Sequence, residues 1–250
     1  MKRVGIHQIN YFPWSGYFNK MAKSDIFIFL DEVQLSYGSY SQRTPVMSNL
    51  GQQSFLNIGV IKKGHMEKTF REILLNPESV WREKHYNFLK GSYASCPYYK
   101  EVMDAIEPVF DTNFKTLFEV TLCGINIIRD ALEIHTPTVM QSSLCYDKEA
   151  KKSSLVLELT KAVDGDTYLS GSGARQYMDL QEFADQDINV EYQRFKQFEY
   201  SQRKGDSFVA GLSVLDMLFN IGISNSKELF WENIQDEEEI EQVLSERIEE

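Results

Sequence analysis

The chain is short of the residues that mark a metal or thiol enzyme. Its 250 residues hold three cysteines, Cys96, Cys123 and Cys145, widely spaced, odd in number and without a CxxC pair. That usage excludes a disulfide framework and reads as reduced thiols of a cytosolic protein. The four histidines, His7, His65, His85 and His135, show neither HxxH nor HExxH spacing. No zinc site is therefore expected, and carboxylates alone are the metal-binding option the sequence leaves open. No apolar run approaches the roughly 18 to 20 residues of a membrane helix, which excludes insertion by that route. The start, MKRVGIHQ, has two basic residues but no apolar stretch behind them, so no secretory leader is expected and the expected location is cytoplasmic. A basic stripe is missing too. The formal charge is −11, much of it in ENIQDEEEIEQVLSERIEE, which reads as a solvated helix face or frayed end. This balance argues against DNA as a partner. GxSxG, Walker A and GxGxxG are all absent.

What remains is an ordinary globular composition, 42% hydrophobic and 25% charged, with a generous 13% of aromatics. Arg3 to Ile6 reads as a strand, and Pro13 stands where a first helical turn begins. Trp14, Tyr17, Phe18 and Met21 follow at helical spacing, and IFIFL, Ile26 to Leu30, reads as a strand buried on both faces. Together they make a right-handed βαβ unit. LDEVQLSYGSYSQRTPV reads as a long polar loop and SFLNIGVI as a strand. The pattern is helical from Pro77 through Phe110 and again from Leu117 to Ala131. Thr138 to Met140, TYLSG and INVEYQRF read as further strands. SSLVLELTKAV, the segment after Gly173 and LSVLDMLFNIG read as helices, the last stopped by Gly222. The expected fold is a three-layer α/β domain with a mostly parallel, Rossmann-like sheet over residues 1–222. A helical insertion is expected over about 77–135, and an acidic C-terminal helix or tail over 223–250.

Open parallel sheets bind ligands at the carboxyl ends of their strands, so the loops there are the place to look. His7 leaves the first strand with Gln8, Asn10 and Tyr11 crowded behind it. An imidazole is suited to proton transfer near neutral pH, though a histidine can equally bond only its own loop. Asp31 ends the second strand, where it can orient an imidazole, hold a substrate group or cap the next turn. In LSGSGARQYMD, Gly171 and Gly173 free the backbone, while Ser170, Arg175 and Tyr177 offer donors for an anion at the start of the next helix. Arg43 adds positive charge, and WREKHY sets Trp81, Lys84 and His85 on one helical face, one aromatic beside two cationic groups. Gln34 is a further polar candidate for substrate binding, and Asn220, on an apolar helix, must be bonded to something. Trp14 and Tyr17 are read as core rather than as a sugar platform.

Four separated blocks carry a resemblance. HQINYFPWSGYFNKMAKSDIFIFLDEVQLSYGSYSQR, WREKHY, DTYLSGSGARQYMD and LSVLDMLFNIG resemble, in wording and order, the blocks of the WbqC-like protein family from about Val4 to Gly222. The chain departs from the family wording in places. Ile9 replaces a proline and Ser15 a leucine of the opening HQPNYFPWLGY, Gln42 stands in the usual Asn-Arg pair, and Ala174 and Gln176 alter SG-G-GRDYL. The resemblance implies a transferase of surface-polysaccharide (O-antigen) biosynthesis, moving an aminoacyl group, glycyl among them, to a nucleotide-linked amino sugar. It implies His7 as base, Asn10 as oxyanion donor, and Arg43, Lys84, Arg175 or the SGSG turn at the sugar carrier's diphosphate. The activated donor is left open between an aminoacyl-tRNA, a carrier-protein thioester and a small activated acid, as is the oligomeric state. A second pattern, a strand with a His-bearing loop, Pro and then Gly at a helix start, resembles the HxGH nucleotidyltransferases. That reading implies ATP or CTP as substrate and brings magnesium as its cofactor; the first reading requires none. A non-catalytic binding or scaffold protein of a polysaccharide assembly system is the third class.

Overall fold

The computed structural model describes residues 1–36, 38–111, 113–176, 178–203 and 207–249. Among them five strands form one parallel sheet: β1 (Arg3–Gln8), β2 (Ile26–Leu30), β5 (Thr138–Met140), β6 (Thr167–Ser170) and β7 (Asn189–Tyr192). The spatial order is β5-β2-β1-β6-β7 and every pairing is parallel. The chain builds outward from β1 on one side and then restarts from β1 on the other. The switch point therefore lies between β1 and β6, where the crevice at the strand ends opens. The ends of β1, β2 and β6 are side by side as the βαβ reading expects, with His7 opposite Phe29 and Gly5 opposite Leu169.

Each strand alternates its side chains between two cores, which makes the fold three-layered. Phe27 and Phe29 face α1 (Ser15–Ala22), with α4 (Leu117–Ala131) and the last helix behind it. Val4, Ile6, Ile28 and Tyr168 face α5 (Ser153–Ala162) and the short α6 (Leu180–Ala184). Burying one such side chain fully is worth about 1.5–3 kcal/mol.

Between β2 and β5 the chain adds an antiparallel pair, β3 (Arg43–Met47) with β4 (Gln53–Asn57), then α2 (Trp81–Tyr93), α3 (Tyr99–Asp111) and α4. β3 corrects the long polar loop expected there. Pro45 sits within it, and its carbonyl accepts the amide N–H of Ser213 at 2.7 Å. A two-stranded ribbon leaves one edge of each strand unpaired, so a proline can be accommodated there. The helical run expected from Pro77 starts at Trp81 and is interrupted before Tyr99, at the Cys96-Pro97 turn. Pro13 lies just before α1 rather than inside it, and its carbonyl accepts the N–H of Val214 at 3.0 Å.

The last helical run, α7 (Val214–Glu249), breaks at Gly222, whose φ of 82° and ψ of 166° are open to glycine alone without strain. A side chain at this position would also strike the ring of Tyr98. Beyond the break, Phe230 and Ile234 return to the main core. Glu237 accepts from Asn19 at 3.0 Å and pairs with Lys23 at 3.6 Å. No helix among the described residues is long and apolar enough to cross a membrane.

Candidate functional site

The loop that leaves β1 is held unusually tightly. Ile9, Tyr11 and Phe12 are fully buried. Phe12 has φ of 40°, a region that bulky residues avoid, and such strain of about 1–3 kcal/mol persists only where the surroundings impose it. Here they do: Thr44 Oγ1 and Ser213 Oγ both donate to the Phe12 carbonyl, at 2.8 and 2.7 Å. Tyr11 N–H donates to the Tyr40 carbonyl at 2.9 Å. The constrained loop opens a cavity of about 380 Å³ with His7, Asn10, Tyr11, Trp14, Tyr40 and Thr44 in its walls.

His7 Nδ1 lies 3.0 Å from the Gln8 carbonyl. A carbonyl oxygen only accepts, so the proton sits on Nδ1 and Nε2 keeps its lone pair. Tyr17 Oη donates to the same carbonyl at 3.1 Å and its ring stands edge-on to the imidazole. Burial, and then the charge of Lys20, lower the His7 pKa from 6.5 to about 4, against a smaller upward pull from the Gln8 bond. His7 is thus a neutral acceptor at pH 7. Asn10 Oδ1 is taken by Ser41 Oγ at 3.4 Å, and its amide nitrogen has no protein acceptor among the described residues. One wall thus offers a hydrogen-bond acceptor and an amide donor, and Pro13, Trp14 and Pro45 supply an apolar wall.

Trp14 corrects its reading as core. It is 39% exposed and lines this cavity, because its ring packs edge-on against Phe195 rather than under the sheet. Tyr17, 2% exposed, is core as expected. Lys20 was not singled out by sequence. It is buried, donates to the Ile6 carbonyl at 2.7 Å and sits over the Tyr168 ring, and burial lowers its pKa to about 7. The NKMAK run looks like a solvated helix face; only the depth of α1 in the fold reveals it.

A second cavity of about 510 Å³ lies beyond the segment Ser39–Thr44, which contributes to both. Arg43 and Lys84 line it, and the Arg43 guanidinium lies over Phe55 and Tyr40. His85 sits behind, 3% exposed. Its Nε2 lies 3.0 Å from the Asn57 carbonyl, which fixes the proton there, so Nδ1 accepts from Tyr11 Oη at 3.1 Å. Burial lowers its pKa to about 4, against the Asn57 bond. The expectation of two cations on this helical face is corrected: His85 is neutral, and Lys84 carries the charge alone. Tyr11, His85 and Asn57 link the walls of the two cavities.

The remaining candidates lie apart. Asp31 is fully buried, and its carboxylate accepts from Arg71 at 2.9 Å and from Ser142 N–H and Oγ at 2.9 and 2.7 Å. It ties the end of β2 to the turns Phe70–Glu72 and Gln141–Ser143, outside both cavities. Gln8 takes part through its carbonyl, and Gln34 is exposed on the approach to the second cavity. Ser170, Gly171, Gly173 and Arg175 line neither cavity. The helix expected after Gly173 is instead a 3-10 turn, Ser172–Gln176, followed by the five residues of α6. Two glycines and a serine-rich start keep the segment from propagating an α-helix. Arg175 stacks on Tyr192 at 4.5 Å, and Tyr177 lies outside the described residues. Asn220 accepts from Arg203 N–H at 2.8 Å and donates to the Asp216 carbonyl at 2.8 Å, bonded as expected and remote from both cavities. Among the described residues, no group of three or more metal-ligating side chains comes together.

The sequence model of the WbqC-like protein family matches residues 8–228. An uncharacterized protein of Mycobacterium tuberculosis (strain H37Rv) is 29% identical over 226 residues, covering 89% of this chain and 95% of that one. No solved structure matches.

Proposed function

The chain belongs to the WbqC-like protein family, and on that footing we propose that it transfers an activated aminoacyl group to a nucleotide-linked amino sugar in surface-polysaccharide biosynthesis. The observation that carries the reading is the pairing, in one cavity, of His7 Nε2 and the Asn10 amide nitrogen, neither of which has a partner among the described residues. The sugar's amine attacks the acyl carbonyl carbon and a C–N bond forms. The nitrogen's proton passes to His7 Nε2, and the Asn10 N–H donates to the oxygen that gathers charge. The carbonyl re-forms as the bond to the donor's sulfur or oxygen breaks, and the imidazolium returns the proton to that leaving atom. The apolar wall of Trp14 and the two prolines suits the face of a sugar ring. A carrier thioester, an aminoacyl-tRNA or a small activated acid would each supply the same electrophile, and the acidic surface makes tRNA the least suited.

The test offers radiolabelled glycine on each donor class with nucleotide amino sugars and follows amide formation. His7→Ala is expected to lower kcat by at least about a hundredfold, and full activity in that variant would end the base role. The sheet order favours nucleotidyl transfer as a second reading, since it matches doubly wound nucleotide-binding sheets. Against it, Tyr17 stands where that pattern carries its second histidine, and its hydroxyl is spent on the Gln8 carbonyl. Magnesium-dependent release of pyrophosphate from ATP or CTP would establish that reading instead. A scaffold role would leave function intact in His7→Ala.

A further inference from the structure

The second cavity carries chemistry that transfer at His7 does not use. In a chain of formal charge −11, its walls include Arg43, Lys62, His65 and Lys84 and, among the described residues, not one Asp or Glu. Neither Arg43, Lys62 nor Lys84 forms an ion pair among the described residues. Three cations gathered without a counter-charge repel one another, and an anion between them relieves that cost.

Two buried donors point the same way. The indole N–H of Trp81, a side chain 2% exposed, has no acceptor among the described residues, and neither has Nε of Arg43. A buried donor left unpaired costs about 1–3 kcal/mol, and both side chains belong to the lining of this cavity. Trp81 is also the first residue of α2, a helix of 13 residues. Its N-cap, Val80, has no side chain able to close the first turn. The end of that helix therefore presents N–H groups and a positive dipole beside the cavity, the arrangement that holds phosphate elsewhere. Glu83 in the same turn is exposed and does not line the cavity. Gly59 brings the opposite wall against this helix start: a Cβ there would lie 2.2 Å from Ser79 Oγ.

We propose that this cavity binds the diphosphate of a nucleoside diphosphate group, held by Arg43, Lys62, Lys84 and the N-terminus of α2. The volume of about 510 Å³ exceeds what a diphosphate alone fills, and Leu35 and Val60 add apolar lining beside which the attached nucleoside can lie. Because Ser39–Thr44 walls both cavities, a substrate anchored here can extend its other end toward His7. The assignment deepens the acyl-transfer reading by placing the acceptor's carrier group, and rests on that reading only for what the diphosphate carries.

Isothermal titration in metal-free buffer tests it, with uridine diphosphate, guanosine diphosphate, inorganic pyrophosphate and sulfate as probes. One site is expected, nucleoside diphosphates binding more tightly than pyrophosphate and pyrophosphate more tightly than sulfate, with affinity falling as salt rises. Arg43→Gln should weaken binding at least tenfold. Exposed Lys84→Ala should weaken it several-fold, and Lys161→Ala, on α5 across the sheet, should leave it unchanged. Absence of binding at millimolar probe overturns the proposal, as does affinity that Arg43→Gln and Lys84→Ala leave intact in folded protein. Equal affinity for sulfate and the nucleoside diphosphates overturns the nucleoside assignment. Diphosphate binding without acylation of any nucleotide amino sugar would sink the acyl-transfer reading and leave this one standing.

Discussion

At the residue scale, the character of the site follows from what burial does to two histidines and a lysine. His7 and Lys20 both lose hydration beside the switch point, and the charge of Lys20 further favours the neutral form of His7. The NMR titration of His7 should therefore centre near 4 rather than 6.5. Lys20→Met should move that midpoint upward, because it removes the positive charge that lowers it; an unmoved midpoint would show that Lys20 does not act on His7. For the acyl-transfer reading, the acid limb of kcat/KM should likewise fall near pH 4, leaving the profile flat from about 5 to 7. His85 governs stability rather than chemistry. The unfolded chain binds its proton near pH 6.5 and the folded protein only near 4, so unfolding takes up a proton between those values. Stability thus falls as pH falls through that window, by at most about 1.4 kcal/mol per pH unit from this group. Urea denaturation of His85→Gln at several pH values should show a shallower slope there than wild type, and equal slopes would refute the assignment. The sequence marks His7 and Asn10 because neither is explained by starting a helix, but it does not show that His7 and His85 are both held neutral. Their states arise from depth and from neighbours such as Lys20 at His7 and Asn57 and Tyr11 at His85, which no local pattern encodes.

At the element scale, short connectors decide where each side chain ends up. Asp31 sits at a strand end, where an active-site carboxylate would also sit, and sequence cannot separate the two roles. The contacts do, since Arg71 and Ser142 occupy both of its oxygens. Asp31→Asn is expected to cost about 1–3 kcal/mol in denaturant unfolding while the His7 titration stays in place; a displaced His7 midpoint would instead tie Asp31 to the site. The strand β3 was hidden because Arg-Thr-Pro-Val-Met carries a proline and follows a polar run, and its strand state depends on pairing with β4. The Gly/Ser segment after β6 looks like a phosphate loop, yet it closes into a 3-10 turn. The unpaired donors and clustered cations lie instead around the second cavity, where Arg43 of β3 and Lys62 meet the start of α2, whose WREKHY sequence does show Lys84 beside Trp81.

At the scale of the whole molecule, the C-terminal helix joins regions that are far apart in sequence. Phe230 is fully buried in the core beneath α1, and Glu237 reaches Asn19 and Lys23 on α1 itself. Phe230→Ala should cost about 3–5 kcal/mol in unfolding free energy, and a loss under about 1 kcal/mol would show that this helix does not buttress the fold. The sequence by itself determined the alternation of strands and helices, the parallel sheet, the break at Gly222 and the family, because these rest on local periodicity, turn chemistry and motif wording. The tertiary structure alone decided the rest. It split the candidate residues between two cavities and a structural remainder, made His85 neutral, exposed Trp14 and left Arg43 and Trp81 with unanswered donors. Those outcomes depend on which surfaces lose water and which partners arrive from distant segments, and both are set only when the chain closes on itself.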